Sequence, residues 1–327
     1  MNRNQALHPF LIVFVATACT ANGAMPPMPS FDTDAATEPD ASVPPDTAPP
    51  PSRLPPEALD DYVLIAAGSF TMGSPLGEAC RDEARETEHL VTITRPFRIH
   101  ATETTQAEYE ELMGVNPSND IECGPQCPVE NLTWHMAAAY CNALSPERGL
   151  PSCYVCTGEG EETRCEPNPE LEAEGIQSCR GFRLPTDAEW EYAYRAGTTT
   201  ALYNGALDAA MCNEAAPNAL EIGWFNRNAD YDIHEVAKKM PNDWGLYDMA
   251  GNAQEWVEDH MSDDLGTDEQ VDPVNTTAAE FNRGIIRGGS FAHGPQNMRA
   301  AYRRPNIREN RGTSLGVRCV VSEVGPE

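Results

Sequence analysis

Positive charge is what this chain has least of. Its 327 residues carry 22 lysines and arginines against 51 aspartates and glutamates, a formal net charge of -29. A body this acidic repels nucleic-acid phosphates and anionic headgroups. Nucleic acid is therefore excluded as a partner; the charge serves solubility first and attraction of cations second. Long apolar runs are missing too, since the one at residues 10–15 is too short to span a bilayer. Between Pro26 and Pro56 the only aromatic residue is Phe31, while eleven of the 28 prolines fall there and Asp32, Asp34, Glu38, Asp40 and Asp46 face the single base Arg53. Such a stretch cannot bury enough apolar surface to offset its ordering entropy. It reads as a disordered, partly polyproline tether.

What precedes the tether is a polar head with Arg3, the apolar run, and then Ala16-Thr17-Ala18-Cys19. This pattern predicts a signal peptide over residues 1–18 with a lipoprotein-type cleavage box, the Cys19 thiol being the acylation site. A plain secretory signal with an incidental cysteine is the alternative. On the first reading residues 19–59 are the lipidated cysteine and its linker, and a lipid on Cys19 makes the membrane contact. The expected location is the cell envelope, as an outer-membrane or cell-surface lipoprotein. Residues 60–322 have the regular apolar content of one sizeable core.

Ten cysteines remain beyond Cys19, an even number that in an exported chain argues for disulfides. Cys123-x3-Cys127 and Cys153-x2-Cys156 also have the spacing of zinc half-sites, which an oxidising compartment disfavours. Cys153, Cys156, Cys165 and Cys179 share residues 152–180, a Gly-, Glu- and Pro-rich segment with little periodicity. It reads as an insertion stapled by bridges whose connectivity is open.

Residues 62–65 and 69–73 read as a paired set of strands, and residues 90–99 as one extended segment. Thr105-x2-Glu108 and Thr186-x2-Glu189 fit the capping box and predict helix starts. A further helix starts at Thr133 and puts Trp134, Ala137, Cys141 and Leu144 on one face. Gly197 is the expected C-terminal stop of the third helix. Short strands are expected at 285–287, 298–302 and 315–320. Helices beside small irregular sheets make the fold class α+β.

Three blocks carry a resemblance: residues 181–197 (Gly-Phe-Arg-Leu-Pro-Thr-Asp-Ala-Glu-Trp-Glu-Tyr-Ala-Tyr-Arg-Ala-Gly), residues 245–256 (Gly-Leu-Tyr-Asp-Met-Ala-Gly-Asn-Ala-Gln-Glu-Trp) and Arg287-Gly288-Gly289-Ser290-Phe291. In this order they resemble the formylglycine-generating enzyme (sulfatase-modifying factor) family over about residues 60–321. The resemblance implies a C-type-lectin-like fold, a bridge between Cys141 and Cys319, and loss of a second family bridge, whose positions here are Tyr194 and Ala300. It also implies a calcium site built from the side chains of Asp248 and Glu255 and the carbonyls of Gly251 and Ala253, hard oxygen donors suited to that ion. A structural turn without metal is the alternative. A second calcium site would involve Asn213 and the region of Asp230. Trp190, Trp244 and Trp256 are expected in the core.

The family's oxidising members carry two copper-binding cysteines shortly after Arg-Gly-Gly-Ser. Residues 291–316 contain none, so copper is not expected and no catalytic residue is assigned. Ser290 is expected to line a groove without a base partner. His293 is a further groove candidate, although a lone histidine is more often a packing residue. Arg299, Arg303, Arg304, Arg308 and Arg311 form the one basic cluster. Arg299 and Arg303 are the groove candidates among them, with pairing to the surplus acids as the alternative.

Three functions compete. The first is a non-catalytic, surface-displayed binding or scaffold module, stabilised by calcium, for a protein, peptide or glycan at the cell surface. The second is a copper-dependent formylglycine-generating oxidase acting on sulfatase cysteines, its active thiol displaced to a residue such as Cys80 or Cys212. The third, an iron-dependent thiol oxidase, requires a helical histidine-bearing domain that residues 20–56 cannot supply.

Overall fold

Each of the three longer helices starts where a threonine satisfies its free N–H groups. In a computed structural model describing residues 59–171, 175–278 and 280–323, the first strands are β1 (Tyr62–Ile65), β2 (Gly68–Met72), β3 (His89–Ile93) and β4 (Phe97–His100). Helix α1 (Gln106–Met113) follows, with Thr105 Oγ1 accepting from Glu108 N and the Glu108 carboxylate accepting from Thr105 N. Helix α2 (Trp134–Glu147) is capped by Thr133 and buries Trp134, Ala137, Cys141 and Leu144. After the hairpin β5 (Tyr154–Thr157) and β6 (Arg164–Pro167) and the short β7 (Phe182–Arg183), helix α3 (Asp187–Arg195) repeats the capping box with Thr186 and Glu189, and all nine of its residues are buried. It ends on Ala196 at φ 46°, and the expected stop Gly197 follows directly in the left-handed region at φ 88°. Helix α4 (Pro217–Ile222) is short. The chain then runs through β8 (Gln254–His260), β9 (Gln270–Val271), β10 (Arg283–Arg287), β11 (Arg304–Ile307), β12 (Leu315–Gly316) and β13 (Val320–Ser322).

The sheets are small and mixed, in the orders β1-β4-β13-β7, β11-β10-β8-β12 and β2-β3-β9, beside the β5-β6 hairpin. Here the expected pairing of β1 with β2 is corrected. Tyr62 faces His100 across β1 and β4, whereas Gly68 faces Ile93 across β2 and β3. The two residues between β1 and β2, Ala66 and Ala67, lack the glycine or asparagine that a tight hairpin turn requires. Residues 90–99, expected as one segment, divide between β3 and β4. Residues 298–302 are not a strand: a 3-10 turn, Pro295–Met298, leads into irregular chain. The carbonyls of Ala300 and Tyr302, free of any ladder, accept from Arg287 Nη1 at 2.8 and 3.0 Å. The last expected strand is split into β12 and β13, which join different sheets.

One apolar cluster packs α3 and α4 on β2 and β3 around Trp190, Tyr192 and Trp244; another packs α2 on β7, β8 and the C-terminal segment around Trp134, Trp256 and Cys319. The three tryptophans expected in the core, Trp190, Trp244 and Trp256, are all buried. Cys141 and Cys319 are bridged, with Cα atoms 5.6 Å apart. The other bridges are Cys80–Cys212, Cys123–Cys127, Cys153–Cys179 and Cys156–Cys165. These pairings overturn the zinc half-site reading, because a bridged sulfur is no thiolate ligand. Tyr194 and Ala300 lie buried in one core, and Tyr194 Oη donates to the Met298 carbonyl at 2.6 Å. The expected signal peptide, Cys19 and nearly all of the expected tether lie outside the described residues.

Candidate functional site

Strand β10 ends on Arg287, whose buried guanidinium reaches Asp187 at 2.5 Å and Glu191 at 2.7 Å on α3. Those pairs fix the point at which the chain leaves the sheet. Gly288 and Gly289 follow at φ 88° and 72°, and a Cβ on Gly289 would stand 2.8 Å from the Asn297 carbonyl oxygen, so a side chain fits there neither in conformation nor in space. The turn delivers Ser290 into a fully buried position. Its Oγ lies 2.6 Å from His293 Nδ1.

The base partner expected to be missing is thus an imidazole three residues on, but in the wrong protonation state for a base. Arg304 Nη1 sits 2.6 Å from His293 Nε2 and also donates to Gln254 Oε1 at 3.2 Å. A guanidinium only donates, so Nε2 must offer its lone pair and the ring proton must sit on Nδ1. Nδ1–H therefore donates to Ser290 Oγ, which also accepts from Ala292 N at 3.3 Å. Burial first, and the Arg304 charge second, pull His293 down to about 4 and keep the ring neutral. An imidazole already protonated on the nitrogen facing a serine cannot take that serine's proton.

Two expected groove residues are placed elsewhere. Arg299 is buried against Glu78 at 2.7 Å and Glu86 at 2.6 Å. Arg303 pairs with Asp187 at 2.7 Å and lines a separate cavity of about 500 Å³ with Asp187 and Asp259. Both thus pair with buried acids, the alternative that the surplus of acids offered, because an unpaired buried carboxylate costs far more than a paired one. Arg308 lies over the Trp134 ring at 4.0 Å, and Arg311 reaches Glu161 and the Asn131 carbonyl. The arginine beside Ser290 and His293 is Arg304. The Cys80–Cys212 bridge borders the same segment, since the Cys212 carbonyl accepts from Gln296 N at 3.2 Å and Asn213 Oδ1 accepts from Gln296 Nε2 at 2.7 Å.

Three of the four expected calcium ligands, Asp248, Gly251 and Ala253, lie in the chain between α4 and β8, and the fourth, Glu255, is the second residue of β8. Gly251, at φ 89°, donates its N–H to the Gly288 carbonyl at 2.7 Å, so this turn and the Arg-Gly-Gly-Ser turn are tied together. Asp248 is 1% exposed; its Oδ2 accepts from Ala237 N at 2.6 Å, while its Oδ1 is buried without a partner. Burial above all raises Asp248 to about 6. Glu255 accepts from Trp190 Nε1 at 2.7 Å and pairs with Arg318 at 2.8 Å. Each of its oxygens has two donors, Oε1 the Arg318 Nε and Nη2 and Oε2 the Trp190 Nε1 and the Arg318 Nε at 3.1 Å, so a cation would share this carboxylate with Arg318.

A third acid stands beside them that no motif announces. Glu103 is fully buried, accepts from Ala253 N and Asn252 Nδ2 at 2.7 Å each, and is pushed well up by burial and then by the charges of Asp248 and Glu255. Three buried carboxylates thus face Arg318, with Lys239 a weaker positive influence on Asp248. An orphaned carboxylate oxygen in a set richer in negative than positive charge fits a hard dication. At the second expected site the Asn213 carbonyl already accepts from Arg227 at 2.9 Å, and Asp230 is exposed.

Residues 47–323 match the sulfatase-modifying factor enzyme 1-like domain, and the chain belongs to this family. The α+β arrangement is accordingly its C-type-lectin-like fold. Among relatives, chaperone protein LppX of Paenibacillus barcinonensis is 30% identical over 290 residues, spanning 81% of this chain and 90% of that protein. The formylglycine-generating enzyme of Streptomyces coelicolor is 28% identical over 282 residues, 79% of this chain and 88% of that enzyme. Among solved structures, Treponema denticola variable protein 1 superposes with a TM-score of 0.66 at 27% identity, covering 80% of this chain and 95% of that one.

Proposed function

We propose that this protein is a cell-envelope lipoprotein, anchored through Cys19, whose sulfatase-modifying factor domain is a non-catalytic binding or scaffold module for a protein, peptide or glycan at the cell surface. The observation that carries this reading is the state of the Arg-Gly-Gly-Ser turn. Residues 291–316, which follow it, contain no cysteine, all ten cysteines among the described residues are bridged, and the Ser290 hydroxyl accepts a hydrogen bond from an imidazole that Arg304 holds in the non-basic tautomer. A soft thiolate ligand for Cu(I) is missing where the family's chemistry needs it. Calcium, on this reading, is structural: the Asp248 and Glu255 carboxylates with the Gly251 and Ala253 carbonyls would hold it, and its charge would offset the buried acids that include Glu103.

One observation favours a second reading, the copper-dependent oxidase with a displaced thiol. The Cys80–Cys212 bridge lies against the segment after Ser290 through the Cys212–Gln296 hydrogen bond, and its reduction would give two thiols there. The test is to incubate oxidised and mildly reduced protein with copper and a peptide containing Cys-x-Pro-x-Arg, and to look for the aldehyde by mass spectrometry. The module reading expects none in either state. Aldehyde formed by the reduced protein and lost on Cys80→Ser or Cys212→Ser replaces it with the oxidase reading.

A further inference from the structure

Away from both turns, one histidine and two carboxylates meet at the open end of the first sheet. Asp61 precedes β1, His100 closes β4 and Glu108 lies in the first turn of α1; one ligand atom from each falls within 4.8 Å of the others. The backbone sets this meeting. Tyr62 pairs with His100 across the sheet, and Ala101 N donates to the Asp61 carbonyl at 2.7 Å, which holds the aspartate beside the histidine. The capping box fixes the glutamate: its Oε2 accepts from Thr105 N and Oγ1, leaving Oε1 3.4 Å from His100 Nε2.

The histidine is the informative member. It is 8% exposed, its ring stands edge-on to Tyr62 with centroids 4.8 Å apart, and its Nδ1 lies 2.9 Å from the Thr102 carbonyl oxygen. A carbonyl oxygen accepts only, so Nδ1 carries a proton and Nε2 is the nitrogen aimed at the two acids. Tying Nδ1–H to a carbonyl is how proteins orient a metal-ligating imidazole and raise its basicity. A tetrahedral zinc ion about 2.0–2.1 Å from each of two ligands holds them about 3.4 Å apart, the separation already found between His100 Nε2 and Glu108 Oε1. Asp61 is exposed and free to close on the same point. The three groups open on a cavity of about 450 Å³ that Tyr140 and Glu111 also line, room for the water or ligand of an open fourth position.

We propose that Asp61, His100 and Glu108 form a site for a divalent transition-metal ion of the zinc type, with one coordination position open to the cavity. Nitrogen-plus-oxygen ligation separates it from the all-oxygen set around Asp248, with which it shares no residue. The proposal does not depend on the reading of the Arg-Gly-Gly-Ser turn.

The test uses the full chain with calcium held in constant excess, so that hard-oxygen sites stay out of the measurement. Zinc is titrated calorimetrically, and cobalt is substituted to read visible d–d absorption. We expect one zinc per chain, a cobalt band of low-coordinate intensity, and loss of affinity by at least about tenfold in Asp61→Asn, the lower end of what removing even an outer hydrogen-bond partner of a ligand costs. His100→Gln should abolish both signals. Asp61, being exposed, carries the test alone if His100→Gln fails to fold. The idea is overturned if the wild type binds no zinc, the outcome expected were His100 an imidazolium paired with Glu108, or if Asp61→Asn binds zinc as the wild type does.

Discussion

Arg304→Gln is the perturbation that most directly probes the turn after Arg-Gly-Gly-Ser. Two causes hold His293 at about 4: burial, the larger, and the Arg304 charge. The substitution removes only the second, so the titration midpoint should climb toward, without reaching, the ordinary histidine value of about 6.5. It also removes the donor that occupies Nε2 at 2.6 Å, so the tautomer preference should relax and a fraction of the ring should carry its proton on Nε2. Stability follows the same sign. In the wild type the folded ring resists protonation while the unfolded ring accepts it below about 6.5, so this residue's contribution is complete above that pH and is lost as pH falls toward 4. In Arg304→Gln that loss should shrink. The assay is two-dimensional ¹H–¹⁵N correlation of the histidine ring nitrogens across pH 3.5–8, which separates the two nitrogens and their protonation. A wild-type ring with its proton on Nε2, or a midpoint unmoved by Arg304→Gln, would falsify the tautomer argument and reopen Ser290 as a nucleophile with a competent base.

Two further outcomes are expected. Calcium should raise the melting temperature of the wild type and leave Asp248→Ala unmoved, because the orphaned Asp248 oxygen is the donor with no other partner; identical wild-type melts in calcium and in chelator reduce the turn to a purely structural one. Replacing Cys141 and Cys319 together by alanine frees a loop of 178 residues and should cost about 5 kcal/mol in the loop-entropy account, read from denaturant unfolding as a lower midpoint with a steeper slope, because the unfolded chain is less constrained; a loss below about 1 kcal/mol places the constraint elsewhere in the bridge set.

Helix starts were readable from the chain because capping is local: Thr105 and Glu108, or Thr186 and Glu189, meet within one turn whatever the rest of the protein does. Partners in space were not. Arg299 is claimed by Glu78 and Glu86, more than two hundred residues earlier, and nothing near Arg299 announces that choice. Ser290 and His293 are visibly three apart, yet the direction of their hydrogen bond is set by Arg304, whose approach depends on β11 pairing with β10. Glu103 gave no signal at all, since one buried acid in a chain with 51 acidic residues looks like any exposed one. The failure of β1 to pair with β2 was, by contrast, legible locally, since Ala66 and Ala67 are not hairpin-turn residues, whereas the choice of β4 as its partner was not.

The bridges Cys80–Cys212 and Cys141–Cys319 overlap along the chain, each having one end inside the other's loop. Any single backbone cut between residues 80 and 319 therefore leaves two pieces still joined by at least one S–S bond. A protease that clips the exposed tip of the β5–β6 hairpin, or any loop in that span, releases no fragment. The clipped protein keeps its shape and migrates as one species on a non-reducing gel, and only a reductant divides it. At the cell surface proposed for this protein, this overlap would turn damage that sheds half a domain into a silent nick.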